Sequence, residues 1–239
     1  MITLAIDTSE ARGSVAVLRG PEILSRRTHA DRSEYSAWLL PAVGEALGEA
    51  QIQIENVELL AVSTGPGSFT GLRVGLTTVK AWAEVYQMPV VGVSRLRAMA
   101  HLVKDNASLI AACYDAQRGQ LFGAAYAVDD GELQTILEER VIAPGEFLEL
   151  VDSRAGKRAV TWISLDPELV EKQEGLLQRK RNSGDRVEQC PLELAPSIAR
   201  LAEESAARGE FSDPVALDAN YVRRSDAEIF WKGTSAGVR

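Results

Sequence analysis

Short apolar runs alternate along this chain with longer stretches whose apolar residues recur at helical spacing. Residues 2–6 and 14–18 read as two strands joined by the polar turn Asp7-Thr8-Ser9-Glu10-Ala11-Arg12-Gly13, a hairpin whose first strand ends in a carboxylate. Residues 33–50 carry a helical pattern, 59–63 form a short apolar strand, 70–87 a second helix and 90–93 another strand. A helix over 95–104 closes this first half. Strands separated by helices build an α/β unit with a largely parallel sheet, to which the opening hairpin adds an antiparallel part.

The second half begins with the same device. Residues 109–114 are apolar, Asp115 follows, and 120–128 resume a strand pattern after Gly119. Strand, aspartate, glycine turn and strand thus occur twice, which reads as an internal duplication with one lobe over 1–103 and a second over 104–239. Further on, 144–151 predict a short helix and 159–163 a strand, while 172–186, with the run Arg179-Lys180-Arg181-Asn182-Ser183-Gly184, read as a solvated loop. Residues 196–208 form a helix that opens with proline and stops at Gly209.

With 239 residues, 46% of them hydrophobic, each lobe can bury a core of its own. The net charge of -8 argues against a broad basic surface that would hold nucleic acid by neutralising phosphates, so any RNA role runs through a partner. Cys113 and Cys190 have neither the spacing of a disulfide framework nor that of a zinc site, as expected in a reducing compartment. The start of the chain lacks the pattern of an export signal and no long apolar run spans a membrane; the expectation is a cytoplasmic protein.

Two strings could carry chemistry. Asp7-Thr8-Ser9 at a strand end suits a nucleotide phosphate, since amides and hydroxyls donate while the aspartate holds magnesium through water; the alternative is that Asp7 and Asp115 satisfy turn amides. The duplicated arrangement points to the two-lobed actin-like ATPase (ASKHA) and sugar-kinase architecture, with Asp7, Thr8, Ser9, Gly65, Gly67, Ser68 and Asp115 as a candidate site for weakly bound ATP or ADP with magnesium. The sharpest string is Ser63-Thr64-Gly65-Pro66-Gly67-Ser68-Phe69-Thr70-Gly71-Leu72-Arg73-Val74-Gly75, which runs from a strand into a helix. Its glycines admit close backbone approach and its helix start offers amides to an anion, yet it is neither a Walker loop nor a dinucleotide fingerprint. The other reading is a tight turn with Gly71 and Gly75 placed for helix packing.

This string resembles the signature of the TsaB (YeaZ) family, and so do Leu4-Ala5-Ile6-Asp7-Thr8-Ser9, Ser33-Glu34 before Leu39-Leu40-Pro41, Asp115-Ala116-Gln117-Arg118-Gly119 and the closing Tyr221-Val222-Arg223. The resemblance is strong to about residue 127 and thin from there to the tail. Arg32 stands where the family commonly has histidine before the Ser-Glu pair. The resemblance implies a scaffold without catalytic residues or metal, working with TsaD-like and TsaE-like proteins in forming threonylcarbamoyladenosine in transfer RNA. It implies that RNA is met only through the complex, and that the chain pairs with itself when the TsaD-like partner is absent. In the family the transferring paralogue carries a metal on paired histidines and a glycine-rich nucleotide loop; here His29 and His101 lie far apart in the sequence and no Gly-Gly pair occurs.

The first-lobe helices fit a scaffold because each carries more apolar surface than one buried stripe needs. Trp38, Leu39 and Val43 on the first and Leu72, Gly75, Leu76, Val79 and Ala83 on the second are the expected partner surface, while Val74, Thr78, Ala81 and Val85 form another stripe. Burial under the C-terminal helix is the alternative. The competing function class is an autonomous actin-like ATPase or small-molecule kinase using Asp7, Thr8 and Asp115 around magnesium nucleotide. A metal-dependent peptidase is disfavoured, since no His-Glu-x-x-His string occurs.

Overall fold

The computed structural model describes residues 1–29 and 34–222. Its first half runs β1 (Ile2–Asp7), β2 (Ser14–Arg19), β3 (Glu22–Thr28), α1 (Tyr35–Ala50), β4 (Leu59–Gly65), α2 (Phe69–Tyr86), β5 (Val90–Ser94) and α3 (Arg95–His101). Its second runs β6 (Leu109–Asp115), β7 (Leu121–Asp129), β8 (Glu132–Ile142), α4 (Pro144–Ala155), β9 (Thr161–Ser164), α5 (Glu168–Glu171), α6 (Glu174–Ser183), β10 (Arg186–Gln189) and α7 (Ala195–Ala207). Arg32 and Ser33, and Arg223 of the closing Tyr-x-Arg, lie outside the described residues.

The first sheet has the order β3-β2-β1-β4-β5 and the second β10-β9-β6-β7-β8. Counted from its own first strand, each sheet has the same order, with the first, fourth and fifth strands paired in parallel and the first, second and third paired antiparallel. The duplication read from two hairpins therefore extends through both sheets. Strands at the centre of each sheet are covered on both faces, which is why they read as unbroken apolar runs. In β1, Leu4 and Ile6 point into the core beneath α1 and α2, whereas Ala5 joins the core between the lobes. In β6 the alternation is the same: Leu109, Ala111 and Cys113 face the core under α4 to α6, and Ile110, Ala112 and Tyr114 face the interlobe core.

Besides β10, two strands escape the periodicity reading. β3 and β8 each lie at one edge of their sheet and carry exposed polar residues such as Glu22, Arg26, Gln134 and Glu138, so neither reads as an apolar run. The larger correction concerns 172–186, which form α6 and the start of β10 instead of a solvated loop. Arg179 from the basic run is buried: it donates to Asp185 through Nε at 2.7 Å and Nη2 at 3.2 Å, and to Asp152 through Nη1. Asp185 also accepts from Val160 N at 3.0 Å and Trp162 Nε1 at 2.9 Å. A buried guanidinium is tolerated because its fork is paired, and the partners are too scattered in sequence to be foreseen.

The lobes meet through α3 and α7. The latter, although it follows the second sheet, packs against β1, β2, β4 and β5 of the first. At this seam His101 lies against Ser197, Lys104 and Glu204, with its Nε2 3.3 Å from a Glu204 oxygen. Burial first, then Lys104, holds the imidazole below its ordinary value of 6.5, the pull of Glu204 notwithstanding. A histidine whose folded-state pKa is lowered is protonated more readily when unfolded, so its contribution is complete above about pH 6.5 and falls away in more acid solution. Relative to a His101→Gln chain, urea midpoints of the wild-type chain are expected to fall between about pH 6.5 and 5. Glu204, held low against its burial by Lys104 and His101, acts only below its ordinary value of 4.5, whereas burial raises Glu10 and Glu139 above theirs and makes them favour the folded chain as the pH falls, so the histidine's part is read from the difference between the two chains.

After α7 the chain straps the edge of the first sheet. Ser212 N donates to Val90 O at 2.8 Å, Asn220 N to Thr64 O at 2.7 Å, and Leu217 and Ala219 enter the core beneath α1 and α2. Tyr221 then stacks on Phe69 with ring centroids 5.2 Å apart, beside the start of α2. Among the described residues no helix is long and apolar enough to cross a membrane.

Candidate functional site

β1 delivers Asp7 to the seam between the lobes, and the turn after it folds back on the aspartate. Asp7 Oδ1 accepts from the backbone N of Ser9 at 3.0 Å and from the Ser9 hydroxyl. This is the local ring that a short acidic side chain makes with its own turn. Asp7 Oδ2 faces Arg95 Nε at 3.3 Å, and the two side chains are 0% and 1% exposed. Arg95 is the first residue of α3, whose cap is Ser94, and its guanidinium carbon lies 4.9 Å from the ring centre of Tyr114. Tyr114 comes from β6 of the other lobe and its hydroxyl donates to Pro66 O at 2.5 Å. Burial alone would weaken the charge of Arg95, but Asp7 and then Tyr114 and Glu10 hold its pKa above the ordinary value.

The glycine string occupies the other side of this turn. Ser68 N donates to Ser9 O at 2.7 Å and Thr8 Oγ1 to Gly71 O at 2.7 Å. A Cβ on Gly67 would fall on the Ser9 carbonyl oxygen, and one on Gly71 on that of Thr8. The glycines thus let the start of α2 press against the Asp7 turn, the tight-turn alternative. Ser68 caps α2 by accepting from Gly71 N at 3.3 Å.

Asp115, at the equivalent end of β6, is only half-buried. It accepts from Gln117 N at 2.7 Å, and its own backbone N donates to Asp166 at 3.1 Å. The structure therefore brings Asp7, Thr8, Ser9, Gly67 and Ser68 together and joins them to the second lobe through Arg95 and Tyr114. A hydrated magnesium ion requires near-octahedral space and usually retains several waters. Asp7, wholly buried and turned to a guanidinium, does not fit that role.

The candidate partner residues divide by exposure. Leu39, Val43, Leu72, Gly75, Leu76, Val79 and Ala83 are buried, in or against the core of the first lobe, so they support a helix surface from beneath instead of forming it. Trp38 is half-buried, stacked edge-on to His29 at 4.9 Å, and lines a groove with Arg27, Pro41 and Glu45. The outward face of α2 is instead Phe69, Arg73, Thr77, Ala81 and Val85, spaced four residues apart and all exposed; Val85 is 71% exposed. Arg73 lies over the Phe69 ring at 3.7 Å, and a shallow groove of about 480 Å³ runs from Phe69 past Val74 to Thr78. On α1 the outward positions include Ala37, Leu40, Pro41 and Gly44.

Arg95 is the residue that sequence reasoning missed. Its only signal is a cation at the first position of an apolar helix, Arg95-Leu96-Arg97-Ala98-Met99, where the positive end of the helix disfavours it unless an anion is near.

Known proteins agree with this architecture. The family described as "TsaD: tRNA N6-adenosine threonylcarbamoyltransferase" matches residues 22–217. The tRNA threonylcarbamoyladenosine biosynthesis protein TsaB of Bacillus subtilis (strain 168) is 28% identical over 233 residues, 97% of this chain and 98% of the relative. YeaZ from Pseudomonas aeruginosa superimposes with a TM-score of 0.73 at 25% identity, over 92% of this chain and 99% of that one. For the fold alone, the ROK hexokinase from Thermus thermophilus aligns with a TM-score of 0.51 at 12% identity, over 85% and 98% of the two chains. The architecture is the two-lobed actin-like ATPase (ASKHA) fold.

Proposed function

The chain belongs to the TsaD family described as tRNA N6-adenosine threonylcarbamoyltransferase, in its TsaB (YeaZ) branch, and from that premise we propose that it is the non-catalytic scaffold of a cytoplasmic complex that forms threonylcarbamoyladenosine in transfer RNA. A TsaD-like protein would carry out the transfer and a TsaE-like ATPase would complete the assembly. The observation that carries the reading is the match along nearly the whole chain to a protein named for this biosynthesis. Two features support the scaffold role. The turn that would hold nucleotide in an autonomous ATPase is packed shut by the protein's own side chains. The outward face of α2 offers Ala81 and Val85 beside Phe69 and Arg73, and Leu40 is 57% exposed on the neighbouring α1.

Such a surface suits a helix-on-helix contact, with aromatic and arginine side chains as anchors. The same face would serve a second copy of the chain when the TsaD-like partner is absent. The lobe boundary near residues 103 and 104 would leave the helices that meet the partner in the first lobe and the closing helix in the second.

Reconstitution tests the proposal. Purified TsaD-like and TsaE-like proteins, threonylcarbamoyl-adenylate and transfer RNA are expected to yield modified RNA only when this chain is added. A chain carrying Ala81→Glu and Val85→Glu, both on exposed positions, is expected to fold normally and to lose at least about tenfold in capture of the TsaD-like partner and in product. Product formation independent of this chain would overturn the reading, and ATP turnover by the isolated chain would then be the measurement to make.

A further inference from the structure

We propose that Arg95 is a built-in cation: its guanidinium takes the place at Asp7 that a divalent ion would need for nucleotide binding, and it holds the two lobes together there. A carboxylate at the end of the first strand, followed by hydroxyl residues and faced by a glycine-rich helix start, has the donors and the charge for magnesium nucleotide. Three features of the folded chain remove that use. The Asp7 carboxylate has no exposed surface, and its Oδ2 is turned toward Arg95. The amides a phosphate would need are taken within the chain, Ser68 N by Ser9 O and Gly71 N by Ser68 Oγ. Tyr114 closes the far side, with its ring against the guanidinium and its hydroxyl on Pro66 O.

Charge balance explains why the arrangement persists. Asp7 and Arg95 are each buried deeply enough that neither would remain ionised alone at low cost. Asp7 Oδ2, Arg95 Nε and Arg95 Nη1 are the buried side-chain atoms without a hydrogen-bond partner among the described residues. The pair is therefore held by charge more than by hydrogen-bond geometry, as an ion beside a counter-ion would be. The residues that surround it come from both lobes: Asp7 and Arg95 from the first, Tyr114 from the second. The equivalent aspartate, Asp115, is half-buried and bonded within its own turn. The internal cation belongs to one half of the duplication only.

The test uses the full chain. Wild-type protein titrated with magnesium and ADP is expected to give no binding heat and no change in Tm; binding that Asp7→Asn abolishes would overturn the proposal. Arg95→Ala is expected to lower Tm by about 10 °C. Millimolar guanidinium chloride, against equal sodium chloride, should recover part of that loss in the variant and none in the wild type. Where Arg95→Ala fails to fold, the double variant Asp7→Asn with Arg95→Met removes both charges at nearly constant volume and is expected to fold. Absence of selective recovery in a folded Arg95→Ala chain, or a double variant no more stable than the single one, would overturn the proposal.

Discussion

A Val79→Glu chain is expected to unfold or to accumulate insoluble, whereas Val85→Glu on the same helix is expected to keep its stability within about 0.5 kcal/mol. Val79 has no exposed surface and sits in the core between α2 and the first sheet. A carboxylate there must remain ionised without a partner or take up a proton, and either course adds to the loss of packing. The expected cost is about 4 kcal/mol or more, a large share of the 5–15 kcal/mol that typically holds a domain folded. Val85, six positions on, points the other way and is 71% exposed. Urea denaturation of both variants checks the contrast, with far-UV circular dichroism to establish folding. A Val79→Glu chain of wild-type stability would mean that this stripe faces outward, and the assignment of the partner surface to Phe69, Arg73, Thr77, Ala81 and Val85 would fail.

That contrast also marks how far the sequence could be read. Periodicity revealed two apolar stripes on α2, but it could not say which of them faced the sheet. Leu72, Leu76, Val79 and Ala83 lie one above another and so do Val74, Thr78, Ala81 and Val85; only the position of β4 beneath the helix decides between them. The central strands were legible because burial on both faces makes them apolar throughout, while β3 and β8 were hidden by the polar side chains they present as outer strands. The glycine string was legible as a feature and ambiguous as a function. A glycine that admits a phosphate and one that admits a neighbouring carbonyl look alike until the neighbour is known, and here the neighbours of Gly67 and Gly71 are Ser9 and Thr8. Arg95 and Arg179 were invisible for a shared reason. Arginine is read as surface, and each is buried because carboxylates meet it only in the folded chain: Asp7 for the first, Asp152 and Asp185 for the second.

Asp7→Ala is expected to destabilise the chain by about 3–5 kcal/mol, although no ligand is lost with it. Removal of the carboxylate leaves the Arg95 charge buried with the face of Tyr114 and the smaller pull of Glu10, and these are worth far less than the desolvation they would have to offset. The Ser9 amide and hydroxyl lose their acceptor in the same step. Asp115→Ala, at the duplicated position, is expected to cost about 1 kcal/mol, because that carboxylate is half-exposed and loses only two hydrogen bonds from Gln117 within its own turn. A cofactor-binding pair of aspartates would give the opposite pattern: little effect of either substitution on stability without ligand, and loss of ligand-dependent stabilisation in both. Thermal unfolding of the two variants, with and without magnesium and ADP, separates the cases. Equal and small destabilisation of both would show that Asp7 is not the counter-ion on which the seam between the lobes depends. A large effect confined to Asp7 would show that the first half has turned an ion-holding carboxylate into part of its core.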